Sequence, residues 1–260
     1  MDDIDHVAFL RSIAIPPLWV SKRLFYAQLP ALMLGESKAI KLAKKTLVCS
    51  ELDKHKLAWL GPINKIEVIP NAVDFPTITI APLEKNLLFL GSFTYKPNVQ
   101  AAEFLLEKIW PRIHNKIPDT RLTIGGIHQE MIRHFNSPPQ GVTFAGFIEN
   151  LENAYAASTV VVCPILSGGG TRVKIIEAAA HGKAIVSTTI GAEGLNFVNG
   201  ESILLRDDPD DFASACVELV ESPSQAVSIG LKARREALKH YERSVVLEKI
   251  TSLIQEILDS

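Results

Sequence analysis

From Leu87 onward the apolar positions alternate between two patterns. Runs that are apolar or β-branched at almost every position read as strands: 87–91 (LLFLG), 121–125 (RLTIG), 142–146 (VTFAG), 159–163 (TVVVC), 184–188 (AIVST) and 202–205 (SILL). Between them the apolar spacing becomes three and four residues. Over 98–113, Ala101, Leu105 and Ile109 form one row with Ala102, Leu106 and Ile113 beside it, leaving Glu103, Glu107 and Lys108 for water. Asn98 is the expected N-cap. Strands without a polar face predict a parallel sheet covered by helices on both sides, so the expected fold class is α/β, a doubly wound parallel sheet.

Upstream the pattern is sparser. Residues 45–50 (KTLVCS) and 65–70 (KIEVIP) read as strands, and 51–61 as a short helix stopped by Gly61. Residues 71–86 carry Pro76 and Pro82 and no period, which marks a linker. Two or three strands are too few for an ordinary sheet. The first ~85 residues therefore read as the end of a domain whose beginning is absent. Helices are expected at 208–221 and 225–240. A last helix, 244–260, carries a stripe of Val246, Ile250, Leu253 and Ile257, too short for a coiled coil and suited to packing on the body. The expected division is 1–75, an N-terminal remnant; 76–86, a linker; 87–242, the sheet domain; and 243–260, a helix returning toward the N-terminal part.

Composition narrows the function classes. With 260 residues and 47% apolar content the chain can fill a sizeable core. Its 27 Lys and Arg against 29 Asp and Glu leave no cationic excess for nucleic acid. Cys49, Cys163 and Cys216 lie far apart in apolar runs, as buried thiols of a reducing compartment do, so the cytoplasm is expected. The acidic start lacks the cations of a secretory signal. Arg11, the Pro16-Pro17 pair and Lys22-Arg23 interrupt the apolar region 7–34 before it reaches a membrane span. The mixture of cations and bulky apolar groups there fits half-buried helices, or else contact with the inner face of a membrane.

The candidate chemistry lies in 167–182, SGGGTRVKIIEAAAHG. Three glycines follow a predicted strand and precede a helix expected to start near Thr171. In open α/β sheets ligands bind beyond the carboxyl ends of the strands. Glycines admit a close backbone approach, and a helix mouth offers unpaired N–H groups and partial positive charge, so a phosphate or diphosphate is the fitting guest. Arg172 and Lys174 are the wrong sign for the helix dipole unless an anion sits there. Gly182-Lys183 is followed by Ala184, which excludes a Walker loop, and Val173 stands where a dinucleotide motif starting at Gly168 needs its third glycine. Glu177, among alanines and isoleucines, either pairs with Lys174 in water or accepts bonds from ribose hydroxyls. His128, His134 and His181 stand singly and receive no catalytic role; His181 ends the helix, where a cation suits the dipole.

These residues, with 68–74 (VIPNAVD), 87–98 (LLFLGSFTYKPN), 143–158 (TFAGFIENLENAYAAS) and the continuation to Leu195, carry a resemblance. Over about residues 43–245 the chain resembles the retaining, group-one glycosyltransferases of the GT-B fold, in which two Rossmann-like domains face each other across a cleft. The resemblance implies that the sheet domain is the Rossmann-like C-terminal, nucleotide-sugar-binding half. It implies that Gly170, Thr171, Arg172 and Val173 donate to the diphosphate, and that Glu177, the second acid of the paired-glutamate motif, binds ribose. Gly91 and Ser92 would stand at the first turn beside the phosphates, Gly125 and Gly126 at the second, and Phe147 and Ile148 around the nucleobase. Three departures matter. The first acid of the pair is Gly169, next to Gly168. The Arg and Lys usual after the first strand fall on Ser92 and Asn98, with Lys96 nearby, leaving Arg172 and Lys174 to supply the charge. The acceptor-side domain, with its own glycine-rich loop, is largely missing.

The implied activity is transfer of a hexose from a nucleoside-diphosphate sugar to a saccharide or lipid-linked acceptor, with retention. No metal and no cofactor beyond the sugar nucleotide as substrate are expected. The expected partners are donor, acceptor and either a missing N-terminal domain or a partner chain. The alternatives are a non-catalytic donor-binding fragment and a sugar-nucleotide epimerase or hydrolase of the same fold.

Overall fold

The computed structural model describes residues 4–14, 25–78 and 84–259. The Pro16-Pro17 and Lys22-Arg23 pairs and Pro82 of the expected linker lie outside the described residues. The N-terminal part consists of helices α1 (Asp5–Ala14) and α2 (Leu29–Leu42), strand β1 (Thr46–Val48), helix α3 (Glu51–Leu57) and strand β2 (Ile66–Val68). β1 and β2 form a separate two-stranded parallel sheet. Ser50 caps α3: its hydroxyl accepts the Asp53 N–H at 3.1 Å and donates to the Asp53 carboxylate at 2.7 Å. Ile40, Val48, Leu57 and Ile66 form the small core of this part.

The larger sheet begins with β3 (Asn86–Leu90). It is followed by α4 (Lys96–Phe104), a π turn over Leu105–Ile109, α5 (Trp110–Lys116), β4 (Arg121–Gly125), β5 (Val142–Gly146) and α6 (Leu151–Ala156). The second half is β6 (Val160–Cys163), α7 (Val173–Ala180), β7 (Ala184–Ser187), β8 (Leu204–Leu205), α8 (Pro209–Glu221), α9 (Pro223–Tyr241) and α10 (Arg243–Asp259). The strand order is β5-β4-β3-β6-β7-β8 with every pair parallel. The chain winds outward from β3 to β5, then returns beside β3 and winds the other way. This places the topological switch point, where such sheets bind ligands, at the carboxyl ends of β3 and β6.

The strands are buried for the reason their sequences suggest. Leu87, Leu88, Phe89, Val160, Val162, Ile185 and Val186 are fully enclosed, and each such side chain contributes about 1.5–3 kcal/mol by leaving water. α7 and α9 pack together on β7, while α8 packs on α5 and the π turn. α10 lies against the N-terminal part. Arg243 grips Asp74 through two bonds of 2.6 and 2.7 Å, Glu256 pairs with Lys45 at 3.1 Å, and Val245, Lys249 and Leu253 form a groove with Val68 and Ile69.

Several boundaries differ from the sequence expectation. α4 starts at Lys96 and not after Asn98, because Pro97 within the first turn favours a start after Tyr95; Asn98 is a buried residue inside the helix. The expected helix 98–113 is interrupted by the π turn and runs on to Lys116. The helix expected over 51–61 ends at Leu57, and Gly61 is needed for another reason: a Cβ there would lie 2.6 Å from Ile40 Cγ2. The strand expected over 202–205 pairs only through Leu204 and Leu205.

Candidate functional site: a cleft at the switch point

A cleft of about 460 Å3 opens beyond the carboxyl ends of β3, β4 and β5. Gly91, Ser92, Gly125 and Gly126 line its floor. The ladder continues past the strands, with Gly91 N–H donating to the Gly125 carbonyl at 3.0 Å and Gly126 N–H to the Gly146 carbonyl at 2.7 Å. Gly126 has φ +137°, and a Cβ there would sit 1.7 Å from the Gly91 carbonyl oxygen, so only glycine lets these two turns touch. Phe147, exposed at the rim, and Ile148 line one side. Leu90, Ile127, Glu149 and Leu151 join them. Sequence reasoning missed these four, which are ordinary apolar or loop residues until the turns are folded.

Lys174 and Glu177 reach the same cleft from α7. The Lys174 ammonium donates to Asn98 Oδ1 at 2.8 Å and lies 4.9 Å from the centre of the Phe89 ring. Asn98 in turn donates to the Ser92 carbonyl at 2.8 Å, which ties α4, the β3 turn and α7 together. Among the described residues no carboxylate pairs with Lys174. Burial pushes its pKa below the ordinary lysine value; nearby Arg172 adds to the shift, while Cys163 and Glu177 oppose it. Burial lifts the Glu177 carboxyl above its usual range, against the pull of the Tyr155 hydroxyl and Lys174. An exposed Glu177–Lys174 pair is therefore not what the helix makes.

The glycine loop borders this cleft without lining it. α7 begins at Val173 with Arg172 as N-cap, two residues later than expected, and Asn71 Nδ2 donates to the Thr171 hydroxyl at 2.7 Å. The Arg172 guanidinium is buried and turned back on the loop, donating to the carbonyls of Ser167 (3.3 Å), Gly169 and Gly170 (2.5 Å). Arg11 of α1 donates to the remaining carbonyl, Gly168, at 2.8 Å. Four successive carbonyls are thus held by two arginines. The amides of Gly168 to Val173 find no acceptor among the described residues. The Arg172 Nε, also buried, has no partner. Gly168 needs φ +102°, and a Cβ there would meet the Tyr95 hydroxyl at 2.5 Å. Carbonyls drawn away and amides left free give the loop the electrostatics of an anion site. Lys96 is exposed at the start of α4, outside the cleft lining.

His181 differs from its expected role as a cationic cap. Burial, with help from Lys183 and Arg234, pushes its pKa down to about 4, so the ring is neutral at pH 7 and stacks on Tyr155 at 4.3 Å.

A parallel sheet in this order with a cleft at the carboxyl ends of its strands is a Rossmann-like domain, here the kind found in GT-B glycosyltransferases. Residues 84–222, more than half of the chain, match the family described as Glycosyl transferases group 1, and the chain belongs to that family. It is 26% identical over 173 residues to an uncharacterized 44.6 kDa protein in the cps region of Klebsiella pneumoniae, covering 64% of this chain and 45% of that protein. It is 25% identical over 202 residues to phosphatidyl-myo-inositol mannosyltransferase of Mycolicibacterium smegmatis, covering 73% and 51%. The chain thus spans about half the length of the curated relatives it matches. Among solved structures it is similar in fold to sucrose-phosphate synthase from Thermosynechococcus elongatus, with TM-score 0.75 and 17% identity over 98% of this chain and 67% of that one. It is also similar to Anabaena Alr3699/HepE in complex with UDP and glucose, with TM-score 0.69 and 13% identity over 94% and 70%.

Proposed function

We propose that this chain is the donor-binding half of a glycosyltransferase that moves a hexose from a nucleoside-diphosphate sugar to a saccharide or lipid-linked acceptor, with retention at the anomeric carbon. The observation that carries the reading is the half-buried Lys174 ammonium, which faces the cleft with a single amide oxygen as partner, beside a loop whose amides are free. A desolvated cation without a counter-ion is costly, and a diphosphate is the anion that fits both groups. The rim residues Phe147 and Ile148 suit a nucleobase, and Glu177, one helical turn beyond Lys174, suits the ribose hydroxyls.

The chemistry is stabilisation of a leaving group. As the bond between the anomeric carbon and the diphosphate oxygen breaks, its electron pair stays on the diphosphate. The loop amides and Lys174 are already aimed where that charge grows, so little reorganisation is needed. The acceptor hydroxyl oxygen forms the new bond to the anomeric carbon on the face the diphosphate leaves, and its proton passes to the departing diphosphate oxygen. Among the described residues no helix is long and apolar enough to cross a membrane; the reaction is proposed for the cytoplasm, peripheral to the membrane when the acceptor is lipid-linked.

Calorimetric titration with nucleoside diphosphates and the matching nucleosides tests the reading, followed by nucleotide release from a panel of sugar nucleotides with and without acceptors. Diphosphates binding at least tenfold tighter than nucleosides, and release that requires an acceptor, support it. Equal affinity for both, or release independent of acceptor, overturns it.

A further inference from the structure

The loop read above as the diphosphate site is not held by its own unit alone. Arg11 of α1 donates to the Gly168 carbonyl at 2.8 Å and grips the Glu193 carboxylate through bonds of 2.6 and 2.7 Å. Lys56 of α3 reaches the same carboxylate at 3.1 Å, and Asn71 holds the Thr171 hydroxyl. Three side chains of the N-terminal part therefore converge on the loop and on the segment after β7. Arg172 can reach the carbonyls on either side of Gly168, and the one it leaves is the one Arg11 takes.

We propose that Arg11 is a positioning residue for the loop: anchored on Glu193, it draws the Gly168 carbonyl away from the cleft and so keeps the following amides directed at a bound diphosphate. The contact rests on the donor-site reading and adds to it a dependence of donor affinity on the N-terminal part. A peptide unit whose carbonyl is released can turn, and a turned unit would present an acceptor where the anion needs donors. The hydrogen bonds it donates to the Glu193 carboxylate hold the Arg11 guanidinium charged, with its pKa raised. Burial alone would raise Glu193, but the bonds from Arg11 and Lys56 outweigh it and leave the carboxylate below its usual range, so both partners stay ionised across the neutral range.

The test is calorimetric titration of the full chain with UDP and GDP, and with uridine and guanosine, for wild type, Arg11→Gln, Arg11→Lys, Glu193→Gln and the double variant Arg11→Gln/Glu193→Gln. Arg11→Gln should weaken the diphosphate by about tenfold, the scale of one charge-assisted bond, and leave the nucleoside unchanged. Arg11→Lys, which can reach the carbonyl but not grip Glu193 in the same forked way, should fall between. The double variant should bind no worse than Arg11→Gln, because both changes break one contact. Equal loss for nucleoside and diphosphate, or additive losses in the double variant, overturns the proposal. If Arg11→Gln fails to fold, Arg11→Lys and Glu193→Gln carry the same comparison. A wild type that binds no diphosphate refutes the donor site itself, whereas a wild type that binds and an Arg11→Gln variant that binds equally well refute only the role of Arg11.

Discussion

Replacing Lys174 by Met should move binding and stability in opposite directions. Met keeps the length of the side chain and its contact with the Phe89 ring but removes the charge. Against a diphosphate, Lys174 supplies a charged hydrogen bond in a sheltered position, worth about 1.5–3 kcal/mol, so the variant should bind about 10- to 150-fold more weakly. Without ligand the same ammonium is a liability, because it lost water and gained one amide oxygen. Since it keeps an opening to the cleft, removing it should stabilise the free protein by only about 1 kcal/mol, or about 2–4 °C in Tm. The pH dependence follows from the depressed pKa. Between the folded value and the ordinary 10.5, the unfolded chain holds a proton that the folded one has lost, so wild-type stability rises with pH in that window. The penalty is complete below it, and the advantage of Met should shrink as pH approaches 10.5. Urea unfolding at several pH values and calorimetry with UDP or GDP measure both effects. A variant that loses stability while binding as well as wild type would show that Lys174 has a structural role only.

Glu177→Gln should reduce the preference for ribose over 2′-deoxyribose nucleotides in competitive titration. Because the folded pKa of Glu177 is raised, wild-type stability should fall as pH rises from the ordinary value of 4.5, and the Gln variant should lack that fall in urea melts across pH 4–7. Gly126→Ala, with its Cβ forced against the Gly91 carbonyl and φ at +137°, should cost about 3 kcal/mol and disable the cleft; unfolding within 1 kcal/mol of wild type, by the same urea assay, would contradict the close approach of these turns. His181→Phe should keep the stack on Tyr155 and remove part of the acid sensitivity between pH 6.5 and about 4, the window in which the unfolded histidine binds a proton and the folded one does not; unchanged melts over that range would mean the ring titrates normally.

The inner strands were readable because burial on both faces leaves an apolar residue at nearly every position; edge strand β5 has exposed positions at Thr143 and Ala145, yet it and β4 occur where the runs predict them. Element starts were less readable. Asn98 has the chemistry of a cap, but Pro97 one residue earlier settles the start of α4, and the amide is used to hold Lys174. The glycine loop was visible as a local composition, three adjacent glycines between a strand and a helix; that Gly168 is also required by its φ of +102° and by the nearby Tyr95 hydroxyl needed the fold. What lay out of reach was who holds it: Arg11 and Gly168 are 157 positions apart, and no local spacing announces a contact between them. Glu193 lay inside a recognisable motif, yet its partner could not be read without the fold. The acidity of His181 was hidden for the same reason, since Tyr155 and Arg234 reach it from other elements.

The most direct measurement is a crystal structure of the full chain soaked with UDP or GDP. The account predicts a diphosphate against the amides of Gly170 to Val173 and within hydrogen-bond reach of Lys174, with ribose beside Glu177. A nucleotide bound with its phosphates away from that loop, or a cleft left empty at saturating concentration, would contradict it.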